Sequence, residues 1–199
     1  MEQKKLISIS KRLSKILRHQ LNDYSHDENG FVELEILMKL FGKDVDINII
    51  KQIVSEDKKS RFELVNKKIN QKNKYFIRAN QGHSTGELND EEMLTPLNSQ
   101  IDGCFHATFS RNLESIKKNG LSRMERKHIH IAESENAKSG RRETCDIKIF
   151  INMKLALDEG IKFYQSKNKC ILTPGDEKGF LSPKYFLKIE KILKTKNNV

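Results

Sequence analysis

Three cysteines, no long apolar run and none of the glycine signatures of the common nucleotide folds are the first things the sequence shows. Cys104, Cys145 and Cys170 are odd in number and far apart, with no C-x-x-C pair among them. This argues against a disulfide framework or a cysteine zinc site and fits a reducing, cytoplasmic setting. No apolar stretch approaches the ~18 residues of a membrane span, and Met1-Glu2-Gln3-Lys4-Lys5 leads into no apolar signal region. A soluble, unprocessed chain without a membrane partner is expected. There is no G-x-G-x-x-G after a strand and no G-x-x-x-x-G-K-[ST], which argues against a Rossmann or P-loop site. H-E-x-x-H is missing as well, and no metal is expected.

What is present is positive charge. The 199 residues hold 37 Lys and Arg against 27 Asp and Glu, a net charge of +10. Such an excess raises the local concentration of polyanions and favours nucleic acid or phosphorylated ligands, although a solvated Lys-rich surface is the plainer reading. The length lies between one large domain and two small ones.

Periodicity places three helices first. Leu6, Ile9, Leu13, Ile16 and Leu17 recur at helical spacing, ending on Arg18 and His19. Leu34, Leu37, Met38 and Phe41 form a second pattern, and Ile47, Ile50, Ile53 and Val54 a third behind an Asp46 cap. Arg61 to Val65 and Lys74 to Ala79 alternate as strands, with Asn66 to Asn73 read as a long hairpin loop. Three helices and a hairpin suggest a winged-helix lobe over 1–84. The segment 85–100 lacks sustained periodicity and reads as a linker. A mostly β lobe over 101–199 is expected, with strands at Cys104 to Thr108, His128 to Ala132, Asp146 to Ile151, Lys162 to Gln165, Cys170 to Thr173 and Phe186 to Ile192. Ser110 is a candidate N-cap, Met153 to Glu159 a helix, and Gly120 and Gly160 helix stops. The fold class is α+β.

The densest chemistry is Tyr75 to Ser84, Y-F-I-R-A-N-Q-G-H-S, where a strand gives way to hydrogen-bonding side chains around one glycine. Alternation puts Arg78 on a half-buried face, where it needs an anion. Arg18 and His19 offer donors at the negative end of a helix dipole, or simply a basic helix cap. Arg141 and Arg142, after Gly140, supply guanidinium forks that suit phosphate oxygens, or a solvated basic loop. His128 and His130 share a strand face, and His106 lies on another strand. They can hydrogen-bond a ribose or an amide, or be satisfied core histidines.

Together the motifs resemble the NAD-dependent RNA 2′-phosphotransferase family. They are L-S-K-I-L-R-H (13–19), D-E-N-G-F-V (27–32), R-F-E-L (61–64), I-R-A-N-Q-G-H-S (77–84), F-H-A-T (105–108) and N-G-L-S-R-M-E-R-K-H-I-H (119–130). S-G-R-R (139–142), A-L-D-E-G-I-K-F-Y (156–164), I-L-T-P-G (171–175) and P-K-Y-F (183–186) continue the order. The resemblance implies a winged-helix RNA-binding lobe and an ADP-ribosyltransferase-like lobe that takes NAD as co-substrate. It implies removal of an internal 2′-phosphate from splice-junction tRNA-like RNA, through a 2′-phospho-ADP-ribosylated intermediate, giving 2′-hydroxyl RNA, nicotinamide and ADP-ribose 1″,2″-cyclic phosphate. Its basic tetrad maps to Arg18, His19, Arg78 and Arg142, the last chosen over Arg141 by a G-x-R pattern. It implies His106, Thr108, His130 and Ile171 on the NAD side, His130 being chosen over His128. Where the family often has H-G-T this chain has His106-Ala107-Thr108, whose added methyl could crowd a dinucleotide. A monomer is expected. The alternatives are ADP-ribosylation of terminal RNA or DNA phosphates, and a winged-helix nucleic-acid binder that uses no NAD.

Overall fold

The computed structural model describes residues 2–42, 45–84, 88 and 93–192. The chain divides into two compact units, Met1–Met93 and Leu94–Val199, and is α+β in class.

In the first unit, α1 (Glu2–His19) forms where the apolar spacing demands it, burying Ile9, Leu13, Ile16 and Leu17 while Lys11, Arg12 and Lys15 face solvent. A short strand β1 (Val32–Glu33) precedes α2 (Leu34–Met38) and α3 (Ile47–Glu56). Asp46 caps α3, its carboxylate accepting from the amides of Asn48 and Ile49, both at 2.9 Å. β2 (Phe62–Ile69) and β3 (Lys72–Ala79) pair antiparallel along their whole length, and β1 pairs with the other edge of β3, giving the order β1-β3-β2. The long loop expected over Asn66 to Asn73 is therefore strand. The chain turns on Asn70 and Gln71 alone, with φ of +48° and +64°, the left-handed pair that a two-residue hairpin requires. Asn66 to Asn73 is exposed on both faces, so no apolar alternation marks it.

The second unit is built on antiparallel pairs. β4 (Thr95–Pro96), β9 (Tyr164–Gln165), β10 (Ile171–Thr173) and β7 (Ile129–Ile131) form one sheet in that order. β12 (Phe186–Lys191), β8 (Ile147–Ile151) and β5 (Phe105–Thr108) form another, and β6 (Leu121–Ser122) pairs with β11 (Phe180–Leu181). Reciprocal backbone bonds between Phe105 and Ala132, at 3.0 and 2.8 Å, tie β5 to the residue that follows β7. The core is β-branched, with Ile129, Ile131, Ile147, Ile149, Ile151 and Ile171 buried together. Each such side chain contributes about 1.5–3 kcal/mol of burial, enough to explain why short strands hold.

Two helices complete this unit, α4 (Leu113–Asn119), stopped by Gly120 at φ +92°, and α5 (Met153–Asp158). Ser110 does not cap α4. Its amide and hydroxyl both donate to the Asp146 carboxylate, at 2.8 and 2.9 Å, because a 3-10 turn over Ser110–Asn112 separates it from the helix. Most of the expected linker, 85–87 and 89–92, lies outside the described residues. Thr95–Pro96, at its far end, pairs with Tyr164–Gln165 inside the second unit.

Candidate active site

In the first unit the end of α1 and the loop after β3 are joined by one residue. The Ser84 amide donates to the Arg18 carbonyl at 2.9 Å, and its hydroxyl donates to the same oxygen at 3.3 Å. That carbonyl is one of the last in α1, which no helical amide can reach, so Ser84 acts as the cap. With its proton spent there, the Ser84 oxygen accepts from His19 Nδ1, 3.0 Å away. Gly82, at φ +90°, lies against the Arg18 side chain, and a Cβ there would meet Arg18 Nε at 3.3 Å. Asn80, Gln81 and His83 are buried, and the Asn80 side chain donates to the Ser60 carbonyl at 2.7 Å. A loop so anchored holds Arg18 and His19 in place.

Arg78 finds its anion inside the protein. Its Nε and Nη2 donate to Glu63 Oε2 at 3.0 and 2.8 Å, and Nη1 donates to the Asn29 carbonyl at 3.2 Å. The guanidinium also stacks on the Phe31 ring, 4.5 Å from its centroid. Glu63, Asn29 and Phe31 were not singled out from sequence as site residues. The signal available was their place in the R-F-E-L and D-E-N-G-F-V motifs.

In the second unit, His106 Nδ1 lies 2.8 Å from the His130 carbonyl and donates to it. Desolvation, which outweighs that bond, lowers the His106 pKa, so the ring is neutral with Nε2 an acceptor. Thr108, buried two residues on and on the same strand face, accepts from the Asn112 side chain at 3.3 Å. Ala107 points to the opposite face and packs against the Phe105, Ala132 and Phe150 cluster, so its methyl does not lie among the His106 and Thr108 side chains. His128 is buried, edge-on to Tyr164 at 6.0 Å.

Ile171 differs from expectation. It is 0% exposed and paired with Ile131, while His130 pairs with Leu172. Directly paired residues share a sheet face, so Ile171 and His130 point to opposite sides. Ile171 belongs to the core rather than to a surface shared with His130.

Gly140 holds the S-G-R-R loop tightly, since a Cβ there would lie 2.5 Å from the Ile131 carbonyl oxygen and 2.8 Å from the Ala132 nitrogen. Ser139 adds a bond to the Asn168 carbonyl at 2.6 Å. Arg142 is exposed, and among the described residues no carboxylate pairs with it. A second guanidinium lies in its field. Burial first, and the charge of Arg142 second, lower the Arg126 pKa from its ordinary value. Burial pushes the Cys104 thiol up to about 11 and raises that of Cys145 as well, which disfavours their thiolates. Among the described residues no His, Cys, Asp and Glu group could hold a metal ion.

Basic donors around a helix end in one unit, and a neutral imidazole beside a buried hydroxyl in the other, have the chemistry of a protein that handles phosphorylated ligands. The family model described as RNA 2′-phosphotransferase, Tpt1 / KptA family, matches residues 4–175, and the chain belongs to that family. It is 33% identical over 201 residues to tRNA 2′-phosphotransferase 1 of Danio rerio, covering 96% of this chain and 88% of that protein. To tRNA 2′-phosphotransferase 1 of Mus musculus it is 38% identical, covering 93% and 77%. To a probable RNA 2′-phosphotransferase of Fusobacterium nucleatum it is 34% identical, covering 84% and 92%. The chain is an enzyme of this kind.

Proposed function

We propose that this enzyme removes an internal 2′-phosphate from splice-junction tRNA-like RNA by transferring it to NAD. Family membership across nearly the whole chain supports the reaction. The observation that carries the residue assignment is the Ser84 bridge, which holds Arg18 and His19 against the loop that follows Arg78. The first unit is read as a winged-helix RNA-binding lobe, supported by the order α1-β1-α2-α3-β2-β3 with β3 central in its sheet. The second is read as an ADP-ribosyltransferase-like lobe that binds NAD.

Arg18, His19, Arg78 and Arg142 are assigned to the phosphate. In the first step a 2′-phosphate oxygen bonds to the ribose carbon that carries nicotinamide, and nicotinamide departs with the electrons of the broken bond. Fixed positive charge holds the dianion in line with that carbon, so much of the acceleration comes from positioning and electrostatics. In the second step the ribose 2″-hydroxyl gives up its proton to solvent and bonds to phosphorus, and the bond from phosphorus to the RNA 2′-oxygen breaks, that oxygen leaving with the electron pair. Arg78 and Arg142 neutralise the pentavalent phosphate, and His19, acting as the imidazolium with its Nδ1–H committed to Ser84, serves that oxygen as hydrogen-bond donor or general acid through Nε2–H.

On the NAD side, His106 Nε2 as an acceptor suits a ribose hydroxyl or carboxamide N–H, with Thr108 and His130 beside it. Ile171 supports these residues from the core. ADP-ribosylation that stops after the first step, and RNA binding without NAD, are not favoured by the family match. The reading is tested by Arg78→Ala and His19→Ala, each expected to abolish dephosphorylation in a protein that still folds, His19→Ala with the thermal melt unchanged and Arg78→Ala with a lower melt because Glu63 loses its partner. Full activity in either variant removes that residue from the phosphate site.

A further inference from the structure

Two motifs, D-E-N-G-F and R-F-E-L, have no part in the chemistry proposed, yet both end on Arg78. We infer that Glu63 is a positioning residue that presents Arg78 to the RNA 2′-phosphate, with the turn at Asp27 to Phe31 completing the cradle. The inference rests on Arg78 being a phosphate ligand.

Strand register puts Glu63 directly opposite Arg78. One carboxylate oxygen takes two N–H groups, from Nε and Nη2, and the Asn29 carbonyl takes a third, from Nη1. A guanidinium has five N–H groups, so two remain, one on each terminal nitrogen. Such a pair can fork onto two phosphate oxygens. The Asn29 carbonyl is itself fixed. Asp27 Oδ1 accepts from the amides of Asn29 and Phe31 at 3.1 and 2.8 Å, and the Gly30 amide donates to the Asp27 carbonyl at 2.9 Å. Gly30 at φ +75° lets the chain turn there, bringing the Phe31 ring to the guanidinium face.

Exposure decides whether this pair matters. The Arg78 and Glu63 side chains are 12% and 15% exposed, well inside the regime where removing one partner leaves a charge uncompensated, and unlike surface pairs of small effect. A negative charge beside Arg78 also weakens its pull on phosphate. Glu63 therefore favours orientation at some expense of binding strength, and the two effects separate in kinetics.

The test is steady-state kinetics on 2′-phosphorylated RNA and NAD, following nicotinamide release and dephosphorylation separately, with thermal melts alongside. Glu63→Gln keeps an acceptor oxygen at the same reach and is expected to hold kcat within about threefold of the parent, with KM for RNA equal or lower. Glu63→Ala and Glu63→Asp withdraw that oxygen and are expected to lose about tenfold or more in kcat, since orientation enters the barrier directly. In an Arg78→Lys background, where no fork exists to be held, adding Glu63→Ala should cost less than about twofold further. Glu63→Asp faster than Glu63→Gln would mean that charge rather than reach matters, and would overturn the inference. So would parent-like kcat in Glu63→Asp. Glu63→Asp and Glu63→Gln decide the question even if Glu63→Ala fails to fold. An inactive parent protein would instead bring down the phosphotransfer reading itself.

Discussion

Ser84 shows how little is needed to hold two functional groups, since one hydroxyl and one amide fix both the end of α1 and the imidazole of His19. Replacing it by Ala leaves the backbone bond but removes the one from the His19 ring. A hydrogen bond of about 1 kcal/mol corresponds to about fivefold in rate, so Ser84→Ala is expected to slow dephosphorylation by about that factor, with Tm lowered by about 2–4 °C. Parent-like kinetics would show that His19 is oriented by something else. His106 makes a pH prediction. Its lowered pKa means that the folded protein resists protonation where the unfolded chain, near 6.5, accepts it. Stability from this group is therefore full above pH 6.5 and declines as the pH falls below it toward the lowered folded value. The acceptor at Nε2 survives into that window, so KM for NAD is expected to stay flat as the pH falls from 7.5 through the ordinary histidine value of 6.5. A rise in KM tracking an ordinary histidine would contradict it. At this scale the sequence disclosed that Arg78 required an anion, because alternation put it on a half-buried face. It could not disclose Glu63 as that anion, because the partner depends on strand register. The face that Ile171 takes was hidden for a related reason: it is set by pairing with Ile131, not by its neighbours in sequence.

At the scale of elements, legibility followed apolar spacing. α1 and α3 could be read because one face of each is buried and the other is not. The outer half of the β2–β3 hairpin could not, because solvent surrounds both its faces, and what supports it besides backbone pairing is Lys67 against Asp27 and the Phe31 and Phe76 rings rather than an apolar stripe. β4, β6 and β11 are two residues each, too short to carry any period. The hairpin turn offers a stability test. Gln71 occupies φ +64°, a region that costs a residue with a Cβ about 1–2 kcal/mol and glycine almost nothing. Gln71→Gly is expected to add about 1 kcal/mol and raise Tm by about 2–4 °C. An unchanged or lower Tm would show that the turn is relaxed as it stands.

At the scale of the whole molecule, the +10 charge says only that polyanions are attracted, and long-range attraction does not choose among them. In the proposed reading the choice falls to a few side chains in each unit, and the family match from residue 4 to 175 spans both units. That span separates a two-step phosphotransferase from a nucleic-acid binder more firmly than either unit's topology, since one fold serves many functions. The most direct measurement is to incubate the purified protein with NAD and a short RNA bearing an internal 2′-phosphate, and to resolve every product. The account predicts 2′-hydroxyl RNA, nicotinamide and ADP-ribose 1″,2″-cyclic phosphate in equal amounts. Nicotinamide release without the cyclic phosphate, or unchanged NAD, would contradict it.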